Sequence, residues 1–439
     1  MNNVIKILIL SVFITSCSTR NKEKLILNKK IDSIAVLSDL YLQKLTSLKK
    51  FNGAVLLKKD GKVILRKAYN MSQDKNTKLN VSVNSQFDLR SVAKLFAKIS
   101  VLELEKKGEI KREDLIEKYL PNFPNGDKIT INHLMTNTSG LPRSFNKAEK
   151  DFILLSPEEV VELASKEKLE FTPGEKERYS NVGFQLLYYI IGKINNKTFS
   201  DHLNKTFFTP LKMTKSGGNF DADLSHLDKY AYGHFLNEKK ELVCECSFPR
   251  DEMKMGHLHS TVEDLSKFLD FLDKDNHKVV VYENTISHSG GTRGKRAYVE
   301  KNFKDNYNLI FLSNFDGIPF QKIVEDLQKL LLEKEVDMPK DINRKPTKIS
   351  TNLLKKYAGT YDVINAGHLI ITLKLENDSL YVYQKGNNNG VLYPENDTIF
   401  FADKKSEESL EFKKDSLGRY YILLDFQGVR FKGVRIPEK

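Results

Sequence analysis

Residues 91–108 read SVAKLFAKISVLELEKKG, and this stretch decides the fold. Val92, Leu95, Phe96, Ile99 and Leu102 recur at helical spacing on one broad stripe, and Gly108 stands where a helix over 91–107 would stop. Ser91 and Lys94 lie three residues apart at its start, so their side chains share one face, one turn apart. A serine hydroxyl attacks poorly until a neighbouring base takes its proton, and a lysine serves as that base once burial or a nearby cation depresses its pKa. The helix N-terminus adds free N–H groups and positive partial charge where an oxyanion would form. By themselves, a serine at a helix start is a cap and a lysine one turn later is solvated; the pair gains meaning only from the chain around it.

Working outward, residues 31–48 repeat apolar side chains at helical spacing, and 53–68 read as two strands, GAVLLKK and KVILRKA, around Asp60-Gly61. Asp-Gly between alternating runs is a strong hairpin signal. Further helices are marked by Ser156-Pro157-Glu158-Glu159 and Ser260-Thr261-Val262-Glu263, each a serine with glutamate three residues on, the form of a capping box. Strands return around His288 and over 307–313, followed by a helix over about 320–332. The charged segment 336–347, with Pro339 and Pro346, reads as a linker. From residue 348 short alternating runs such as HLIITLKL, SLYVYQ, TIFFAD, SLEFKK and RYYILLDF are separated by Asn, Asp and Gly turns, which predicts a small antiparallel β domain of barrel or sandwich type. The whole is an α+β chain: an antiparallel sheet flanked by helices with a helical lobe over 31–335, then an all-β domain over 348–439.

The N-terminus carries Lys6, an apolar run over 7–10 that resumes over 12–14, and then Thr15-Ser16-Cys17. That is the layout of an export signal over 1–17, too short for the ~20 apolar residues of a spanning helix. Ile14-Thr15-Ser16-Cys17 resembles a bacterial lipoprotein box, which implies acylation of Cys17 as a membrane anchor, a tether over 18–30, and residence in the cell envelope, facing the periplasm or the outside. Lys and Arg total 70 against 58 Asp and Glu, a net charge of +12, but the basic residues are interspersed with acidic ones. This describes a solvated surface near an anionic envelope; a nucleic-acid partner is poorly supported, because an exported protein rarely meets one and no binding motif is recognised. Cys244 and Cys246 are too few and too close for a disulfide framework. A metal site with His257 and His259 lacks any characteristic zinc spacing, so we assign no metal and no cofactor.

Two further pieces follow at a distance: Tyr179-Ser180-Asn181 before the helical run VGFQLLYYIIGKI, and His288-Ser289-Gly290-Gly291 in a strand context. With S-x-x-K in this order, the sequence resembles the serine β-lactamase and penicillin-binding protein superfamily. It is most similar to the branch in which Tyr-x-Asn replaces Ser-Asp-Asn and a His-x-Gly strand replaces Lys-Thr-Gly. The resemblance covers about residues 32–333 and includes KYLPNFPNGDKITINHLMTNTSGLP, FTPGEKERYSN, FFTPLKM and HSTVEDLSKF. It implies Ser91 as acylated nucleophile, Lys94 as its activator, and Tyr179 as phenol or phenolate relaying the proton to the leaving group. It further implies that Asn181 orients Lys94 and the substrate amide, that His288 lines the wall, and that the Ser91 and Gly291 amides form the oxyanion hole. Ser289, Gly290 and Arg293 would line the substrate. The implied chemistry is acyl transfer through a Ser91 ester on a small-molecule or peptide substrate, cell-wall peptides included. Peptidase, β-lactamase-like and esterase activity remain open, as does the alternative of an envelope-binding lipoprotein that keeps the fold without the chemistry.

Two departures stand out. Only residues 273–287 separate the helix ending near Leu272 from His288, which suggests an open rim. The run Thr292-Arg293-Gly294-Lys295-Arg296 is basic; it reads as a solvated strand edge in preference to a carboxylate clamp built from Arg293, Lys295 or Arg296.

Overall fold

The computed structural model describes residues 33–437 except 75, 146–154, 195, 219–226, 228, 247–254, 365–368, 385 and 427–428. The export signal, Cys17 and the tether over 18–30 lie outside the described residues. Among the described residues no helix is long and apolar enough to cross a membrane.

The described part of helix α1 covers residues 33–47 and leads into the hairpin of β1 (Gly53–Lys59) and β2 (Lys62–Tyr69). Asp60 and Gly61 both take positive φ, +50° and +76°, the conformation that a two-residue hairpin loop demands. β3 (Phe87–Asp88) and a tight turn over Arg90–Val92 deliver the chain to α2 (Ala93–Lys106). Helices α3 (Ile131–Met135), α4 (Pro157–Ser165), α5 (Asn181–Ile194) and α6 (Phe199–Leu203) follow, then the short strands β4 (Gly217–Gly218), β5 (Gly233–Leu236), β6 (Leu242–Glu245) and β7 (Leu258–Ser260). The chain continues through α7 (Val262–Phe271), β8 (Thr285–Thr292), β9 (Lys295–Asn302), β10 (Tyr307–Ser313) and α8 (Phe320–Leu331). The main sheet has the order β2-β1-β10-β9-β8, antiparallel throughout, with β8 at one edge.

Helix α2 is more deeply placed than one stripe implies. Ala93, Ala97, Val101 and Leu104 are buried along with the expected Leu95, Phe96, Ile99 and Leu102, and so are the polar Lys94 and Ser100, so burial extends well beyond one apolar stripe. Phe96 anchors it, stacking on Phe268 at 3.9 Å between ring centres and meeting Phe207 and Phe208 edge-on. Gly108 stops the helix at φ +73°, its amide reaching Glu105 O. The cap at Ser156 forms as expected, Ser156 N donating to Glu159 Oε2 at 2.6 Å and Glu159 N to Ser156 Oγ at 3.2 Å. The second cap is shifted by one residue: β7 runs through Ser260, so Thr261 caps α7 by accepting from Asp264 N, and Glu263 instead pairs with Arg66.

The chain divides into two compact units, one running to Ile318 and including Leu330–Glu335, the other comprising Pro319–Lys329 and everything from Val336. In the second unit, α9 (Thr351–Tyr357) precedes β11 (Gly359–Val363), β12 (Leu369–Glu376), β13 (Ser379–Gln384) and β14 (Asn387–Pro394). β15 (Ile399–Phe401), β16 (Ser409–Lys414), β17 (Tyr420–Phe426) and β18 (Val429–Arg435) complete it. Each strand pairs with its sequence neighbour and β11 with β18, which closes an eight-stranded barrel and decides between barrel and sandwich. Its interior is filled by aromatic rings, with Tyr357 stacked on Phe412 at 3.8 Å and Phe400 edge-on to both.

Because Phe96 is fully buried in an aromatic cluster, Phe96→Ala is expected to cost about 3–5 kcal/mol and Phe96→Leu much less. Urea unfolding of the two variants checks this; equal, small losses would mean that α2 is not anchored here.

Candidate active site

The turn Arg90–Val92 presents Ser91 half-buried at the entrance to α2, and Lys94 follows one turn inward. Lys94 Nζ lies 3.1 Å from Ser91 Oγ, and the Tyr179 hydroxyl donates to the same oxygen at 2.7 Å. Tyr179 reaches this point because the backbone around it is clasped. Arg178 N donates to Asn137 O, Ser180 N to Asn137 Oδ1, and Asn181 N to Arg143 O, while Ser180 Oγ donates to Pro142 O. The clasp needs left-handed backbone at Asn137 (φ +60°) and Gly140 (φ +80°); a β-carbon at 140 would lie 2.2 Å from the Phe171 carbonyl oxygen. The sequence phrases around 137–143 and 171–181 are thus two halves of one scaffold.

The Lys94 amine is 6% exposed as a residue and lies between aromatic faces, 4.9 Å from the Tyr179 ring centre and 5.4 Å from that of Phe184. Burial, with Arg90, Arg143 and Lys98 adding positive charge nearby, lowers its pKa to about 7. That fall represents on the order of 5 kcal/mol against the ammonium form. Charged, the ammonium donates to Ser91 Oγ; neutral, the amine accepts the serine proton across the same gap. Burial pushes the Tyr179 phenol up, only partly offset by its bond to Ser91 and by Arg143, whose guanidinium sits 5.4 Å from the ring centre. Tyr179 is therefore a phenol near neutral pH, which favours the protonated of its two expected forms.

His288 lies on β8, half-buried, with Nδ1 2.7 Å from the Ser289 carbonyl oxygen. Desolvation, aided by Lys98 and Lys94, lowers its pKa to about 4, so the ring is neutral, protonated on Nδ1, and keeps Nε2 as an acceptor. Asn181 opens α5 beside Tyr179, but no hydrogen bond joins its side chain to Lys94. Ser289, Gly290 and Gly291 follow along the edge strand, with Ser289 and Gly291 exposed and Gly290 buried. The edge strand approaches Ser91 closely: a β-carbon on Gly290 would lie 2.3 Å from Leu89 O and 3.0 Å from Ser91 N.

The basic run after Gly291 is not the solvated edge expected from sequence. Lys295 is buried and donates to Asp88 Oδ2 at 3.2 Å and to the Tyr230 hydroxyl at 2.6 Å, because the β9 register turns its side chain inward toward β3. Arg296 donates to backbone carbonyls of its own hairpin, at Thr292 and Lys295. Arg293 alone stays exposed, its guanidinium 5.0 Å from the Phe235 ring centre.

Cys244 and Cys246 are joined by a disulfide that spans one residue, a pairing the sequence reading argued against. Cys244 lies on β6 opposite His234 of β5, and Cys246 follows just past the end of that strand. His259 packs its ring against Gly217 and His257 lies within electrostatic reach of Asp88, both buried. Sequence reasoning missed Asp88, Arg90, Lys98 and Arg143. Lys98 had a signal, standing two helical turns beyond Ser91 on the face of Lys94; the other three depend on tertiary contacts.

The Gly290 contact yields a direct test. Gly290→Ala is expected to lower Ser91 reactivity toward a serine-directed probe by about a hundredfold through displacement of the Leu89–Ser91 turn. Labelling rates measured on folded variant check it, and an unchanged rate would show that the strand has room to move.

Residues 43–321 match the Beta-lactamase family. Penicillin-binding protein 4* of Bacillus subtilis (strain 168) is 27% identical over 411 residues, covering 82% of this chain and 89% of that protein. The octameric penicillin-binding protein homologue from Pyrococcus abyssi shares the fold at a TM-score of 0.59 and 23% identity, covering 89% of this chain and 97% of its own. The D-amino acid amidase from Ochrobactrum anthropi SV3 does so at 0.54 and 19%, covering 70% and 98%. The match extends over well more than half of the sequence, and the chain belongs to the Beta-lactamase family, within the serine β-lactamase and penicillin-binding protein superfamily of serine hydrolases.

Proposed function

We propose that the protein is an exported, lipid-anchored serine hydrolase that works through a Ser91 acyl-enzyme on amide or ester substrates. The observation that carries this reading is the convergence on Ser91 Oγ of the Lys94 amine at 3.1 Å and the Tyr179 hydroxyl at 2.7 Å. Neutral Lys94 takes the serine proton as Oγ bonds to the substrate carbonyl carbon. The bond to the leaving nitrogen or oxygen then breaks, and the proton passes by way of Tyr179 to that atom. Water attacks the ester, the acid leaves, and Ser91 regains its proton. The Ser91 and Gly291 amides face the developing oxyanion, and His288 Nε2 and Ser289 offer polar contacts to substrate along β8.

Amide and ester substrates share this machinery, so peptide, β-lactam and ester acyl donors all fall within the proposal. Treatment with a fluorescent penicillin and, separately, a fluorophosphonate should leave an adduct on Ser91 that vanishes in Ser91→Ala and falls at least about a hundredfold in rate in Lys94→Ala. The reactive form is deprotonated Lys94, so activity is retained above pH 7 and lost as pH falls through about 7. No adduct with either probe, and no turnover of esters, β-lactams or D-amino-acid peptides by folded protein, would favour a binding lipoprotein instead.

The location reading rests on the sequence before residue 18 alone. Growth with a fatty-acid analogue should label the wild-type protein and leave Cys17→Ala unlabelled; persistent label in the variant defeats the anchor.

A further inference from the structure

Four side chains from separate stretches converge just ahead of Ser91. Arg90 sits at φ +52°, a left-handed conformation that a β-carbon disfavours, directly before the nucleophile. Asp88 holds it there: the Arg90 amide donates to Asp88 Oδ1 at 3.1 Å, and Arg90 Nη1 donates to Oδ2 at 3.1 Å. Lys295 donates to the same Oδ2 at 3.2 Å and to the Tyr230 hydroxyl at 2.6 Å. Asp88, Arg90 and Lys295 are 4%, 7% and 3% exposed. Burial alone would raise the Asp88 carboxyl, but Arg90, Lys295 and His257 hold it well below the usual carboxylate range, so it stays ionised. Burial also works against the Lys295 ammonium, and Asp88 and Tyr230 more than offset it. Two cations thus share one carboxylate in a site closed to water, and removing that carboxylate would strand them.

We infer that Arg90 is a positioning residue for acyl transfer, locked by Asp88 and Lys295 so that it sets the Ser91 amide against β8 and keeps a fixed positive charge beside the Lys94 amine. The inference rests on the acyl-enzyme reading. The geometry on the other side of Ser91 supports it, because β8 packs against the turn so closely that a β-carbon on Gly290 would lie 3.0 Å from the Ser91 amide nitrogen. The groups that face Lys94 are Arg90 from the turn, Lys98 from its own helix, Arg143 from the segment after α3, Tyr179 and Phe184 from the start of α5, and His288 from β8. Among the described residues no carboxylate is one of them. After burial itself, Arg90 is the strongest influence favouring the neutral amine, ahead of Arg143 and Lys98. A surface arginine in its place would be screened by solvent; a buried one is screened less, and because Arg90 and Lys295 share the single Asp88 carboxylate the cluster keeps a net positive charge that needs no reorganisation when the serine reacts.

The test is the pH dependence of Ser91 labelling by the fluorophosphonate in the full chain carrying Arg90→Gly, Arg90→Lys or Lys295→Met. Glycine accepts the left-handed turn, so Arg90→Gly removes the charge without adding backbone strain; Arg90→Asn, also tolerant of that conformation, serves if the glycine variant does not fold. The acid limb should move to higher pH by roughly half a unit to one unit in Arg90→Gly and return to its wild-type position in Arg90→Lys. Lys295→Met, which leaves Arg90 on Asp88, should lower thermal stability without moving the limb. A merely structural cluster would instead lower stability in all three and leave the limb in place. A limb unmoved in folded Arg90→Gly or Arg90→Asn overturns the assignment of Arg90 while the Ser91 adduct itself still stands. Absence of any Ser91 adduct in the wild type removes the acyl-enzyme reading, and with it this inference.

Discussion

The site depends on keeping water away from one amine. A lysine in water holds its proton far above neutrality, and only desolvation reinforced by like charges makes it a base at physiological pH. Lys94 meets both conditions: aromatic rings close over it, and the charges that face it are cations. Such a group destabilises the protein by its burial, and the surrounding structure must be rigid enough to impose it. The aromatic cluster around Phe96, two residues further along the same helix, supplies that rigidity.

Two elements distant in sequence, and the turn that leads into the helix itself, are registered against it by contacts of different kinds. The turn before α5 is held by a hydrogen-bonded clasp to residues 137–143, which fixes where Tyr179 points. The edge strand β8 is held by steric contact at Gly290, where the absence of a side chain is the condition for approach. The Arg90 turn is held by charge, through a buried carboxylate shared with Lys295. Hydrogen bonds, steric fit and ionic contact each constrain a different degree of freedom, so the position of Ser91 Oγ is over-determined.

The barrel follows different rules. Its strands pair only with sequence neighbours before closing, so it is specified by short alternating runs and turns, and closure removes the exposed edges an open sheet of this size would carry. Its aromatic interior, centred on Tyr357 and Phe412, forms a core of its own.

The sequence by itself determined the helix after Ser91, which the structure places at Ala93–Lys106 behind a tight turn, and also the Asp60-Gly61 hairpin, the antiparallel sheet and the C-terminal β domain, because periodicity and turn chemistry act over a few residues. It also singled out Ser91, Lys94 and Tyr179, whose motifs are local and follow in a recognisable order, and the structure brings the Lys94 amine and the Tyr179 hydroxyl within hydrogen-bond distance of Ser91 Oγ. Strands β11, β14 and β18 escaped: β11 is only five residues long, β14 begins in an Asn-rich stretch that reads as a turn, and the alternation of β18 breaks at Gly433. The shifted cap at Thr261 escaped because Ser260 offers the same local signal and only β7 pairing excludes it. Only the tertiary structure decided that Lys295 is buried instead of solvated, that Arg90 takes a left-handed turn, that Cys244 meets Cys246, and that the β domain closes. For Lys295 the deciding partner is a carboxylate 207 residues away, and for the barrel it is the pairing of β11 with β18; electrostatic and strand contacts across such separations leave no periodic trace in the chain.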